Sequence, residues 1–523
     1  MRRFTQIAVA LLFAVPLVRL PGMGLDELRI PFWALLTTLL MGRIVYKEAR
    51  RSEVRGKFDP LRVSLVIFFL VALASLPGGG SLWDALVPMT IFVLGLITYI
   101  ILTSPLFTGK DLLSWGFPAF AGVALLFSAV IVYQALQGLP VIGTLGNQNR
   151  AGALTGMLFP VMLGLSFGGR LRPLYIVTTL ALLVATILTD ARGGLLGLAA
   201  GSAVALGAVA WRWKRTPGLL LVVGGAILVA VLFYPLAMKR VDSIHVRTGL
   251  WAGAWEMTLD HPVLGAGLGN FEVEFPPYRG EEEFLISNRN EGLSSFVEAE
   301  SAHSTWLQIG AEMGFLGVLS FLLILYITVR LWRYFIVHLK SKNSVVAMAG
   351  VGGGLVAFLA SGLTNTLHLH ASHFLFFIIF LASIQLLGDH RPHTRRHFAT
   401  EVRMAFHGVA ALVGGLIILI SARQISFTNM FQQGMNQTVP ETRIRLLREL
   451  ISIHDHYWVA HYELGNTYAA LNHQTEAERH YKRALEDRPH HVELLDKLGV
   501  ALARIKGRDA ESEDCFKRAT EIA

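Results

Sequence analysis

Apolar residues in this chain fall into long blocks separated by short polar turns, and one polar stretch is far longer than the rest. The blocks lie near 5–20, 31–47, 61–77, 82–104, 111–133, 150–168, 173–189, 194–211, 218–236, 306–330, 346–366, 371–388 and 404–422. Most have about 17 to 25 residues, the length a helix needs to cross ~30 Å of hydrocarbon. The pattern predicts an all-α polytopic membrane protein of about 12–13 spans. The long polar stretch runs from Lys239 to Ser304. It divides spans within 1–236 from spans within 306–422, with a large loop at 237–305 between them. Arg2-Arg3 precede the first block, and Pro16, Arg19 and Pro21 follow in place of a small-residue cleavage site. That block therefore reads as a retained span rather than a signal peptide.

Charge in the short loops sets an orientation. Lys47 to Arg51, Gly169 to Arg172, Arg212 to Arg215, Arg330 to Lys342 and Arg391 to Arg403 are basic. Pro21 to Glu27, Pro77 to Gly80 and Gln134 to Gln148 carry few cations. The positive-inside rule then predicts a cytoplasmic N-terminus and places the large loop outside. With an odd number of spans, everything after Gln424 is outside as well. Arg150 and Arg192 defy the rule, because they stand at the outer ends of spans. Ionisable residues so placed are candidates for function, with interfacial snorkelling as the competing account. Gly193 and Gly194, beside Arg192, are expected to let backbone approach a ligand closely.

From Thr442 the pattern changes to that of a soluble helical module. Leu464-Gly465, Tyr468, Ala477, Tyr481, Ala484 and Pro489 match tetratricopeptide spacing, in which small residues mark helix–helix contacts. Leu498-Gly499, Leu502, Phe516 and Ala519 form a weaker second unit, and Arg443 to Ile453 supplies a preceding half-repeat. The expected tail is a short repeat module at 435–523 that binds a protein partner or docks onto the rest of the chain.

Composition agrees: 53% of residues are hydrophobic and 16% charged, with a mean hydropathy of +0.51. The formal net charge of +9 follows from basic cytoplasmic loops and is no argument for nucleic acid. The single cysteine, Cys515, excludes an intrachain disulfide.

Candidate chemistry gathers at the ends of the long loop. Arg247-Thr248-Gly249-Leu250-Trp251 opens it, and Leu250, Trp251, Ala254 and Met257 predict an amphipathic helix lying on the membrane surface. Gly265, Gly267 and Gly269 have G-x-G-x-G spacing with no preceding strand, which points to a tight turn rather than a nucleotide loop. Most of Glu281 to Glu283 and Glu298 to Glu300 read as solvated loop, with acid/base work or metal binding as the alternative for paired carboxylates. His303, where the chain re-enters the membrane, can take a proton from a hydroxyl at neutral pH, or can simply be an interfacial histidine. Glu312 lies about two and a half helical turns on, too far to pair with it directly. His368, His370 and His373 have a metal-like spacing but no nearby carboxylate or thiolate, so acceptor contacts or packing are preferred. Two guanidiniums and an imidazole at one membrane face suit a lipid-linked glycosyl diphosphate, because arginine donates bidentate hydrogen bonds to phosphate.

These residues together resemble the O-antigen ligase family. The resemblance rests on Gly143 to Asn149, Asp190-Ala191-Arg192-Gly193-Gly194, Arg247 with Trp251, Asp260-His261-Pro262 through Gly269-Asn270-Phe271, and Ala302-His303-Ser304-Thr305-Trp306-Leu307-Gln308 with Glu312-Met313-Gly314. Gln148 and Arg150 depart from it where many relatives have proline and an aromatic. The resemblance implies a GT-C-like bundle that needs no metal, nucleotide sugar or other cofactor. It maps diphosphate binding onto Arg192 and Arg247 and the catalytic histidine onto His303. Asn147, Asn149, Arg150, Trp251, Asn270, Glu312, His368 and His370 are the expected substrate-binding residues. The expected donor is an undecaprenyl-diphosphate-linked glycan in the bacterial inner membrane, and the expected acceptor is lipid A core. The alternatives are a second lipid-linked glycan, as in a polymerase, a protein hydroxyl, or, in another class, transport of the lipid-linked glycan.

Overall fold

The computed structural model describes residues 2–19, 28–48, 59–76, 82–104, 107–213, 241–288, 299–388, 400–453 and 455–522. Helices and turns account for all regular structure among them. Each expected apolar block overlaps a described helix except 218–236, which lies outside the described residues together with loops 21–27 and 77–80, Lys239 and Glu298.

The first helices are α1 (Arg2–Phe13), α2 (Arg29–Glu48), α3 (Pro60–Ala74), α4 (Leu82–Leu102) and α5 (Gly109–Leu136). Next come α6 (Gln148–Leu165), α7 (Arg172–Leu188), α8 (Arg192–Arg212) and α9 (Val241–Asp260). Short helices α10 (Phe271–Glu274) and α11 (Glu281–Ser287) lie in the large loop. The chain continues through α12 (Thr305–His338), α13 (Lys342–Ser361), α14 (Ala371–Gly388) and α15 (Thr400–Met435). The tail is α16 (Pro440–Ile453), α17 (Trp458–Ala470), α18 (Gln474–Asp487), α19 (Val492–Ala503) and α20 (Asp509–Ile522). Among the described residues, seven helices are long and apolar enough to cross a membrane.

The chain forms two compact units. One comprises Met1–Leu70, Thr90–Lys239 and Leu319–Ser421; the other comprises Val71–Met89, Arg240–Val318 and Ala422–Ala523. The large loop and the repeats thus share the second unit.

The first unit is organised around α6, α8 and α13, which approach one another along small residues. A methyl group added at Gly156 would stand 2.2 Å from the carbonyl oxygen of Gly194, and one at Gly201 would stand 2.5 Å from that of Gly353. Without water to drive association, close backbone approach and hydrogen bonds hold membrane helices together. Ser361 donates to the Gly193 carbonyl at 2.8 Å, and Thr186 donates to Thr155 at 2.8 Å. The same packing explains Gly193 and Gly194. A methyl on Gly193 would meet Asn365 and Thr364, and one on Gly194 would meet the Gly152 backbone. These glycines serve helix contact, which corrects the expectation that they make room for a ligand.

In the second unit the repeats pack as the spacing predicts. Gly465 lies under the Tyr481 ring and Gly499 under the Phe516 ring, so each glycine admits the aromatic of its partner helix. Leu447 and Leu450 of α16 join Leu464, Tyr481 and Leu498 in one buried core. The half-repeat therefore covers an apolar face of α17 that would otherwise be open.

The small-residue packing is testable in detergent-solubilised protein. Gly156→Ala should lower the thermal midpoint, with an overpacking cost of about 1–3 kcal/mol. Gly207→Ala, where an added methyl meets nothing within 4 Å, should leave the midpoint unchanged or raise it. Equal midpoints for the two variants would refute this account.

Candidate active site

In the first unit, basic residues gather at the end where α6, α8 and α14 begin. Arg29, only 2% exposed, donates to the Thr144 carbonyl at 2.6 Å. Arg19 donates to the Gly143 carbonyl at 3.3 Å, and Gln134 donates to the same oxygen at 3.1 Å. These bonds fix the turn that delivers Asn147. Asn147 caps α6, its side-chain oxygen accepting from the Asn149 and Arg150 amides at 2.8 and 3.3 Å. The Asn147 side chain thus has a structural duty that the sequence reading did not assign, whereas Asn149 contributes its backbone amide to the cap.

Arg192 is the first residue of α8. The residue before it, Ala191, offers no side-chain cap, and the first turn holds no acid. One guanidinium nitrogen, Nη2, is buried without a hydrogen-bond partner. A fixed cation at the positive end of a helix dipole is unfavourable by itself and favourable once an anion is present. Asp190, two residues earlier, is exposed with φ of 50°.

His368, His370 and His373 separate into different environments. His368 is buried and stacks on Phe92 with ring centres 6.3 Å apart. His373 donates through Nε2 to the Arg150 carbonyl at 2.9 Å. His370 is half-buried, its ring 5.9 Å from that of His373. Among the described residues no trio of His, Cys, Asp or Glu is arranged to hold a metal. Burial lowers the His368 imidazole to about 3, so at neutral pH it is uncharged, and its Nδ1 is buried without a hydrogen-bond partner. The His370 imidazole is also pushed well down, by burial first and then by Arg150 and its fellow histidines.

In the second unit, α9 carries Arg247 and Trp251 on one side, both half-buried. The Trp251 indole nitrogen is shielded without a partner. Leu250, Ala254 and Met257 are buried in a cluster with Ala266, Phe271, Phe275, Ala302 and Ala311. The loop's own residues cover the apolar stripe of α9, which corrects the expectation of a helix with that stripe on the membrane surface. Trp255 and Leu259 stay about half exposed. Glu283 corrects a second expectation. Its side chain is 2% exposed and pairs with the equally shielded Arg279, whose Nη2 donates to Oε1 at 3.1 Å. It is a structural ion pair, not solvated loop.

The glycine turn is also structural. Gly265, Gly267 and Gly269 have φ of 71°, 108° and 81°, in agreement with a tight turn rather than a nucleotide loop. The turn pairs with α12 where Gly314 breaks that helix at φ 62°, ψ −165°. The Ala266 and Gly267 amides donate to the Ala311 and Glu312 carbonyls at 2.8 and 3.1 Å. Phe315 and Leu316 donate back to Pro262 and Val263 at 2.8 and 3.3 Å. Asn270 is buried and donates to the Ala266 carbonyl at 3.2 Å.

His303 is exposed between buried Ala302 and Ser304, with φ of 47°. Asp190, His303 and Asn472 are the described residues other than glycine in this region. Such a conformation costs of order 1–3 kcal/mol and persists only where its surroundings hold it. A relay of side chains does so. The Ala302 amide donates to Gln308 Oε1 at 2.7 Å, and Gln308 Nε2 donates to Glu312 Oε1 at 2.8 Å. The Glu312 backbone is held as well, its carbonyl accepting from the Gly267 amide. Glu312 therefore supports the histidine segment indirectly. Gln308 was quoted in the motif without a role; its place four residues before Glu312 on one helix face was the available signal.

Residues 177–322 match the O-antigen ligase family, and residues 458–491 match a tetratricopeptide repeat. The segment that is similar to the O-antigen ligase family contains Arg192, Arg247, Trp251, Asn270, His303 and Glu312, and the match supports chemistry of the ligase or polymerase type. No curated protein matches the chain.

Two expectations follow. Gln308→Leu strands the Ala302 amide and the Glu312 carboxylate, at about 1–3 kcal/mol for each buried group left unpaired. Hydrogen exchange at 302–304 should then quicken while exchange in α13 stays unchanged. Second, unfolded histidine takes up its proton near pH ~6.5, whereas folded His368 resists until about 3. Stability should fall as pH drops below that unfolded value, and the loss should level off only near the folded one. Thermal midpoints measured against pH should show a shallower acid limb for His368→Asn.

Proposed function

We propose that the chain is a glycosyltransferase that moves a glycan from undecaprenyl diphosphate to an acceptor hydroxyl, with lipid A core as the acceptor, at the periplasmic face of the inner membrane. The observation that carries this reading is His303. It is an exposed imidazole held at positive φ by buried neighbours, within the segment that matches the ligase family. Loop charge supports the periplasmic assignment. The sharing of one compact unit by loop and repeats supports a common side for both.

In this reading His303 accepts the proton of the acceptor hydroxyl, and the hydroxyl oxygen attacks the anomeric carbon opposite the diphosphate. The new glycosidic bond forms as the old one breaks, so the anomeric configuration inverts. The leaving diphosphate gains charge, and Arg192 and Arg247 stabilise it more in the transition state than in the ground state. Arg192 suits that role through its shielded, unpartnered Nη2 at an uncapped helix start. Guanidinium cannot deprotonate in the working pH range, so the charge is constant. The bundle would be GT-C-like, and the reaction needs no metal, nucleotide sugar or other cofactor.

Transfer from a purified lipid-linked donor tests the reading. His303→Ala should lower turnover by about 10²–10⁴, the span of general acid–base catalysis. Arg192→Ala and Arg247→Ala should do likewise, with thermal midpoints near wild type. Parallel reactions with lipid A core, a second lipid-linked glycan and a peptide hydroxyl separate ligase from polymerase and protein glycosylase. Wild-type protein that transfers to none of them, yet moves the lipid between leaflets, would establish a transporter instead.

A further inference from the structure

Within the second unit one charged pair joins the repeats to the segment beneath the loop. Arg488, directly after α18, places Nη1 and Nη2 at 3.1 and 3.2 Å from the two carboxylate oxygens of Asp84, in the first turn of α4. The Arg488 side chain is 6% exposed and its guanidinium carbon lies 5.4 Å from the centre of the Trp458 ring. A bidentate, shielded, ring-stacked arginine has one geometry, so the pair fixes position as well as contributing attraction. Each charge also stands at the favourable end of its helix, the acid at an N-terminus and the cation at a C-terminus. Beside the pair, Val492 and Ile522 of the repeats line a narrow cleft with Phe275, Arg279 and Phe284 of the loop. Burial raises the Glu272 carboxyl in this cleft, Arg488 pulls it back down, and Asp84 and Glu300 add to the rise. Arg488 thus acts on both Asp84 and Glu272.

On the other side of Asp84 lies the glycine turn. A methyl added to Gly269 would stand 2.5 Å from the Asp84 carbonyl oxygen and 2.9 Å from the Ala85 Cα. The turn in its turn donates from the Gly267 amide to the Glu312 carbonyl at 3.1 Å, and the relay to Ala302 begins at the Glu312 side chain.

We propose that the repeat module acts in cis as a positioning clamp: the Arg488–Asp84 pair fixes the glycine turn, and the turn, through Glu312 and Gln308, fixes the His303 segment. Arg488 is then a positioning residue whose partner is the chain itself, and its effect on turnover rests on the reading of His303 as the base. The clamp gives the tail a task that needs no second protein.

Full-length protein in nanodiscs provides the test. Arg488→Asp and Asp84→Arg each set like charges together, and the double swap restores opposite ones. Hydrogen exchange at 265–271 and 301–304 should quicken in each single variant and return toward wild type in the swap. In the glycan-transfer assay kcat should fall about 10- to 100-fold in the single variants, the scale of a misplaced catalytic group, with donor KM within about twofold. The swap should recover most of kcat. Arg488→Gln keeps the bulk without the charge and guards against misfolding; it should quicken exchange at the same two segments while α17 stays protected. Wild-type exchange at 301–304 in every variant, or failure of the swap to restore it, overturns the clamp. If wild-type protein transfers no glycan but the exchange pattern is as expected, the glycosyltransferase reading fails and the clamp stands.

Discussion

The second unit depends on how a broken helix is repaired. At Gly314 the backbone of α12 leaves helical geometry, which strips neighbouring carbonyl and amide groups of their partners. At the edge of a bilayer, backbone polar groups without partners are costly, and irregular backbone persists only where protein satisfies it. The segment from Pro262 to Gly267 does this with two amides and two carbonyls. It reaches them because Gly265 and Gly267 adopt conformations that side chains resist. Break and turn therefore require each other. Once joined they hold the Glu312 backbone through the Gly267 amide, and the Glu312 side chain accepts from Gln308. The strain at His303 is supported by this chain of dependence.

The first unit solves a different problem. Its central helices touch backbone to backbone, which leaves little freedom for side chains to shift among them. The arginines at its end are tied through carbonyl oxygens of the 143–144 turn. Carbonyl oxygens accept these hydrogen bonds without adding an opposing formal charge. The sharing of that end by the start of α8 and by Arg192 makes it suited to an anion.

Much of this was legible in the sequence, because the signals were periodic or compositional. Apolar blocks marked the helices, and the small-to-aromatic spacing of the repeats marked contacts such as Gly465 with Tyr481. Periodicity identifies an apolar face but not what covers it, and so α9 was expected on a membrane surface when Phe271, Phe275 and Ala302 cover it instead. Glu283 looked like one of a run of solvated acids, because the buried pairing with Arg279 depends on local packing. The break at Gly314 was hidden, since it is one of three glycines at 310, 314 and 317, and glycine is ordinary in a membrane helix. The relay through Gln308 was only half legible: its spacing to Glu312 was a signal, but its far partner is a backbone amide, which leaves no trace in residue identity.

The Arg488–Asp84 pair has a consequence for how the protein is made. The two residues are 404 positions apart, so Asp84 leaves the ribosome and enters the membrane long before its partner exists. The large loop is synthesised in the interval and must wait without the contact. The tie to the turn beneath it can form only after Arg488 has been translated, well after residues 177–322. A product that stopped before Arg488 would carry every residue of that matched segment and still present it untied.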